Sequence, residues 1–134
     1  VTETATAAQT PYDLLGGRAA ITRIVERFYD LMESETEFAE LRAMHAADLG
    51  PMRQSLAGFL TGWAGGPRDW SAENPDKCMM SAHRGLGVTP ETARQGVTCT
   101  TRAVEDCGMG DHDIGKLMLE RFDMMAKGMA RMPA

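Results

Sequence analysis

Three histidines, three cysteines and two tryptophans are all that 134 residues offer for metal, thiol or indole chemistry. The cysteines, Cys78, Cys99 and Cys107, are odd in number and unevenly spaced. That argues against a disulfide framework, and the lack of a CxxC pair argues against a zinc site. CxxCH, the signal for covalent haem attachment, is missing too. Buried free thiols are the reading that remains.

Positive charge is also in short supply. Lysine and arginine total 14 against 19 acidic residues, a formal net charge of −5. Nucleic acid and anionic membrane both call for a basic patch, so neither is expected as a partner. No apolar run approaches the roughly 20 residues of a membrane span. No basic stretch followed by an apolar core marks a secretory signal. The chain reads as a soluble, cytoplasmic protein. Aromatics make up only 6% of it, while 11 methionines help bring the hydrophobic share to 43%. That share suits one globular domain of ordinary size, with methionine as adaptable core filler.

Along the chain, residues 1 to 10 (VTETATAAQT) are small and polar and read as a flexible lead-in. A single domain is expected over 11–132. PYDLLGG supplies a short apolar turn. From Arg18 the pattern is helical, with Ile21, Ile24, Val25, Phe28, Leu31 and Met32 on one face and Tyr29 at its edge. Ser34 to Glu37 breaks that helix and leads into a short one, Phe38 to Met44, ahead of His45. A further helix runs from about Gly50 to Trp63, with Pro51 in its first turn and Met52, Leu56, Phe59, Leu60 and Trp63 as its stripe. The segment from Arg68 to Asp76 is rich in turn formers and is expected to be a loop. Lys77 to His83 should form a short helix before the glycine-broken stretch Gly85–Gly87. Thr89, Pro90 and Glu91 have the order of an N-cap, first position and acidic first turn. The helix they open should reach about Asp106, although Gly96 within it costs roughly 1 kcal/mol relative to alanine. Asp111 is the expected cap of a last helix carrying Ile114, Leu117, Met118, Phe122, Met125 and Met129. No alternating strand pattern occurs. The fold class is all-α, with five to six helices.

The order of these signals is itself informative. LLGG precedes the first long helix, RFYDLM lies inside it, and GFLTGWAGGP spans the end of the next long one. MMSAHRGLGV then carries a lone histidine, and LERFDMMAKGM comes last. From about Tyr12 to Met129 this resembles the truncated haemoglobins, two-over-two helical sandwiches, and most closely their second group. The resemblance implies haem b as cofactor, with His83 as proximal ligand of the iron. It matches Tyr29 to a tyrosine whose hydroxyl donates a hydrogen bond to bound dioxygen. It places His45 at a corner facing the haem, as a second donor. Met52 and Leu56 fall on the distal face, Phe28 beside Tyr29, and Phe59 and Trp63 deeper or along the edge. Met79, Leu86 and Val88 would pack on the proximal side. Arg53, Arg68 and Trp70 are candidates to reach the propionates. The group usually carries a tryptophan where this chain has Gly96, which should enlarge the distal pocket.

Taken alone, a solitary histidine is more often a surface or capping residue than a ligand. His112, between two aspartates, reads that way. The expected function is a haem globin that reversibly binds dioxygen, nitric oxide or other small ligands at a five-coordinate iron. A reductase is a candidate partner, and the chain is expected to be a monomer or homodimer. The alternative is a haem enzyme using the room at Gly96. It would be peroxidase-like, nitric oxide dioxygenase-like, or engineered for carbene or nitrene transfer.

Overall fold

The structure, a computed structural model, describes residues 10–75, 83 and 86–131. The expected helix at Lys77 to His83 lies outside the described residues, apart from His83 itself, which is in a turn.

The fold starts at Thr10, the last residue of the expected lead-in. Thr10 caps α1 (Pro11–Leu15): its hydroxyl accepts from the Asp13 amide, and the Asp13 carboxylate accepts from the Thr10 amide. This reciprocal cap satisfies two amides that a helix start would leave unpaired, so PYDLL is a helix rather than a turn. Gly16, at φ 110°, takes the left-handed conformation that lets α1 end and α2 (Gly17–Ser34) begin at once.

The α2 stripe is buried as its spacing predicts. Ile21, Ile24, Val25, Leu31 and Met32 are each at most 3% exposed. Burial on that scale contributes roughly 1.5–3 kcal/mol for each large side chain. Tyr29 is buried with them, and Phe28 is half-buried. Glu35 turns extended and ends α2. A 3₁₀ turn over Thr36–Phe38 then leads into α3 (Ala39–Ala43), so the expected short helix is split at Phe38, which is fully buried.

Helix α4 (Gly50–Trp63) has Pro51 in its first turn, as expected. The next segment differs from the sequence reading. Asp69–Glu73 is a short helix, α5, not a loop. Packing overrides its polar composition: Trp70 lies so close to α4 that a Cβ at Gly58 would fall 2.8 Å from the Trp70 Cβ. Only glycine at position 58 lets the two helices approach that far.

Helix α6 (Pro90–Asp106) opens on Thr89, whose hydroxyl accepts from the Thr92 amide. Helix α7 (Asp113–Ala130) is capped by His112 rather than Asp111, with the His112 Nδ1 accepting from the Ile114 amide. His112 therefore has a structural post, in keeping with its expected role. The described residues contain seven α-helices and no strand.

The helices form two packed pairs, α2 with α4 and α6 with α7, joined through α2 against α6. Phe38, Ile21, Leu31, Met32, Val104 and Cys99 lie where they meet. Helix α1 is strapped to the end of α4. The Tyr12 amide donates to the Ala64 carbonyl at 2.9 Å, and a Cβ at Gly66 would meet the Tyr12 ring at 2.5 Å. The sandwich is complete with α3 bridging α2 and α6, which brings His45 to its edge.

Candidate functional site

Tyr29 and His45 come together although they lie on different elements. Their ring centroids are 6.0 Å apart with planes at 79°. Tyr29 sits in the buried stripe of α2, 4% exposed, with Phe28 edge-on at 4.9 Å. Burial pushes its phenol up to about 12, with Arg53 pulling in the opposite direction. The hydroxyl is thus held protonated, able to donate. His45 is half-buried just past the end of α3. Its Nδ1 is 2.9 Å from the Leu41 carbonyl oxygen. Desolvation lowers its pKa, and the charges of Arg42 and His83 lower it further, against the Leu41 contact. His83 therefore lies close enough for its charge to reach His45. Tyr29 and His45 thus face each other ring to ring, and His83 acts on His45 through its charge.

The other expected site residues are mostly apolar and only partly covered. Leu56, Phe59 and Val88 are half-buried. Met52 is 40% exposed and Leu86 52%. Gly96, on α6, is half-buried, and a Cβ built on it meets nothing within 4 Å. Open space stands where a tryptophan side chain was expected to be missing. One turn later the Cys99 thiol donates to the Phe28 carbonyl at 3.2 Å, which ties this part of α6 to α2 beside Tyr29. Met79 lies outside the described residues.

Other expected site residues are engaged elsewhere. Arg53 does not stand free for a propionate. Its guanidinium pairs with Glu26, Asp30 and Glu33 of α2, with the Glu26 carbonyl accepting as well. Three carboxylates spaced along one helix face capture it, a cluster that helical periodicity alone could have revealed. Trp63 turns outward and stacks on Phe122 of α7, centroids 5.7 Å apart. Trp70 packs edge-on against Phe59 at 5.8 Å. Arg68 is exposed beside Gly62, the one arginine of the original pair whose head is not claimed by those acidic residues.

Sequence reading also missed an apolar cleft of about 240 Å³ between α1, the end of α4 and α7, lined by Pro11, Leu15, Trp63, Ile114 and Met118 among others. Neither Tyr29, His45 nor His83 borders it, so it is distinct from the region above.

The residue chemistry fits a haem. One face needs a neutral imidazole, and the other needs an apolar slot with a hydrogen-bonding group. His83, His45 and Tyr29 among aliphatic and aromatic side chains supply those elements, and the space at Gly96 leaves room on one side.

An all-α sandwich of two helix pairs, with Tyr29 facing His45 at its edge, has the features of a globin. The chain belongs to the bacterial-like globin family, whose model matches residues 10–131. It is 24% identical over 119 residues to the group 2 truncated hemoglobin YjbI of Bacillus subtilis (strain 168), covering 89% of this chain and 86% of that protein. Among solved structures, it resembles the cold-adapted truncated hemoglobin of the Antarctic marine bacterium Pseudoalteromonas haloplanktis TAC125. That match has a TM-score of 0.86 and 27% identity, over 93% of this chain and 100% of the other. The group II truncated hemoglobin of Bacillus anthracis gives a TM-score of 0.84 at 25% identity, over 96% of each chain. The two-over-two architecture and the kinship with group II truncated haemoglobins expected from the sequence are both found. Membership of the globin family implies a haem cofactor. No described helix is long and apolar enough to cross a membrane.

Proposed function

We propose that this globin holds haem b with His83 as the protein ligand to iron and binds dioxygen, nitric oxide or similar small molecules on the Tyr29 side. What supports this reading is the Tyr29 ring facing His45, which the charge of His83 also reaches, with the Tyr29 hydroxyl kept protonated by burial. Ferrous haem, when bound, supplies an open coordination position for a diatomic ligand. The chain's own residues do the rest. Phe28, Leu56, Phe59 and Val88 keep bulk water from the slot. Tyr29 offers a donor to the ligand's outer atom, where negative charge gathers. His45 faces the same ligand. Arg68 is the candidate partner for a propionate. The space at Gly96 leaves the pocket wide, which favours ligand entry over long retention.

Adding haem to the purified chain should give a Soret band. His83→Ala should abolish it or shift the ferrous spectrum, and an unchanged spectrum would remove His83 from the role. Tyr29→Phe should speed dioxygen dissociation about tenfold, the worth of one hydrogen bond of roughly 1.4 kcal/mol. Stopped-flow measurement of the off-rate decides this.

A further inference from the structure

The cleft between α1, the end of α4 and α7 has a volume of about 240 Å³, and its walls are set by contacts already made. Helix α1 is fixed at its start by the Thr10 cap and beside α4 by the Tyr12 amide on the Ala64 carbonyl. Trp63 is stacked on Phe122 of α7. Little ordering is therefore needed to receive a guest. Leu15 and Met118 are buried and form the floor, while Trp63 and Leu117 stand about 40% exposed at the sides. Apolar side chains exposed together around a hollow mark a binding surface, as scattered ones do not. At roughly 30 Å³ for a water-sized group, the space holds about eight heavy atoms. That is room for one short alkyl chain or a substituted ring, and too little for a helix, which is about 10 Å across.

Arg121 of α7 is the one charged residue on the lining among the described residues. It is exposed and has neither an ion pair nor a hydrogen bond there. The acids of the two helices do not claim it. Asp13 of α1 is held by Thr10, Asp123 of α7 by Lys127, and Glu120 stands about 100° round the helix. A guanidinium offers a fork of donors that matches a carboxylate. Its single charge answers a single negative one; a doubly charged phosphate would leave the second unmet on a chain of net charge −5. We propose that this cleft binds a free monocarboxylate with an apolar body of about eight carbons, its carboxylate on Arg121 and its tail against Leu15, Met118 and Trp63. A bilayer is a poor source of such a tail, because an anionic surface repels this chain. None of the three residues Tyr29, His45 and His83 lines the cleft, so the proposal does not rest on the haem reading above.

Titration calorimetry of the full chain with octanoate, 1-octanol and octylamine tests this. The unaltered chain should bind octanoate. Arg121→Gln should weaken octanoate about fivefold, the upper worth of one exposed ion pair, and leave 1-octanol unchanged. Arg121→Glu should reverse the preference and bind octylamine over octanoate. Leu117→Ser, which removes an apolar wall, should weaken octanoate and 1-octanol alike. Both positions are exposed, so these variants should keep the fold, and thermal melts check that they do. Failure to bind octanoate overturns the proposal, as does equal binding by the unaltered chain and the Arg121 variants. Octanoate that shifts the Soret band of the haem-loaded chain, and still does so in Arg121→Glu, sits at the iron instead and overturns it. Sedimentation completes the test: a dimer that becomes a monomer in Leu117→Ser has a second copy over this face, which also overturns the proposal.

Discussion

The guanidinium carbon of Arg53 lies 5.7 Å from the centre of the Tyr29 ring, one turn of α4 laid over the buried face of α2. The same guanidinium holds Glu26, Asp30 and Glu33. Arg53 thus fastens α4 to α2 directly above the residue expected to meet the ligand. Arg53→Leu should lower stability by about 1–2 kcal/mol, the sum of a partly exposed ion-pair network and one cation–π contact. It should also raise the Tyr29 phenol further, because the positive charge now favours the phenolate. Thermal melts and an ultraviolet titration of the phenol measure the two effects. A phenol unmoved by the substitution would show that Arg53 acts on α2 without acting on Tyr29.

Alkaline pH should unfold this protein sooner than its surface charges suggest. Burial pushes the Cys99 thiol from 9.0 to about 12 and the Tyr29 phenol from 10.0 to about 12. Both groups are harder to deprotonate folded than unfolded. Their contribution is complete below pH 9.0 and is lost as the unfolded chain gives up these protons between 9.0 and about 12. The melting temperature should therefore hold to about pH 9.0 and then fall. In Cys99→Ala the decline should be shallower, because only Cys107, whose thiol burial also raises, and Tyr29 then remain to contribute. Calorimetry across that pH range, with and without the substitution, gives the comparison.

Gly96→Ala is expected to stabilise the protein. The added methyl group meets nothing within 4 Å, and the position lies inside a helix without a positive φ. Replacing a mid-helix glycine with alanine is worth about 1 kcal/mol. The midpoint of urea denaturation should rise without a change of slope. A fall would mean that the space at Gly96 closes up in solution, and with it the case for a wide pocket.

The architecture was readable because the apolar residues of α2, α4, α6 and α7 recur at helical spacing and because Pro51 and Thr89 mark two of the starts. The short elements were not. Thr10 looked like one more small polar residue in a threonine-rich run, and its role depends on an aspartate three residues away. Asp69–Glu73 has the composition of a loop and is helical because Trp70 has Gly58 to lean on, a contact between residues 12 apart that no local pattern encodes. Tyr29 and His45 came from the family resemblance, and their meeting is visible only in three dimensions. Arg53 as a propionate candidate also rests on the family resemblance, whereas Coulomb attraction to three carboxylates on α2 decides where its head goes.

Leu41 has both of its backbone groups taken by side chains. Its amide is held at 3.0 Å by the buried oxygen of Gln95 on α6, and its carbonyl is held at 2.9 Å by His45. Gln95 is the immediate neighbour of Gly96. The long helix α6 therefore also holds, through Leu41, the residue that orients the His45 imidazole. A displacement of that helix at Gly96 would therefore pull on Gln95 and, through Leu41, on the orientation of His45.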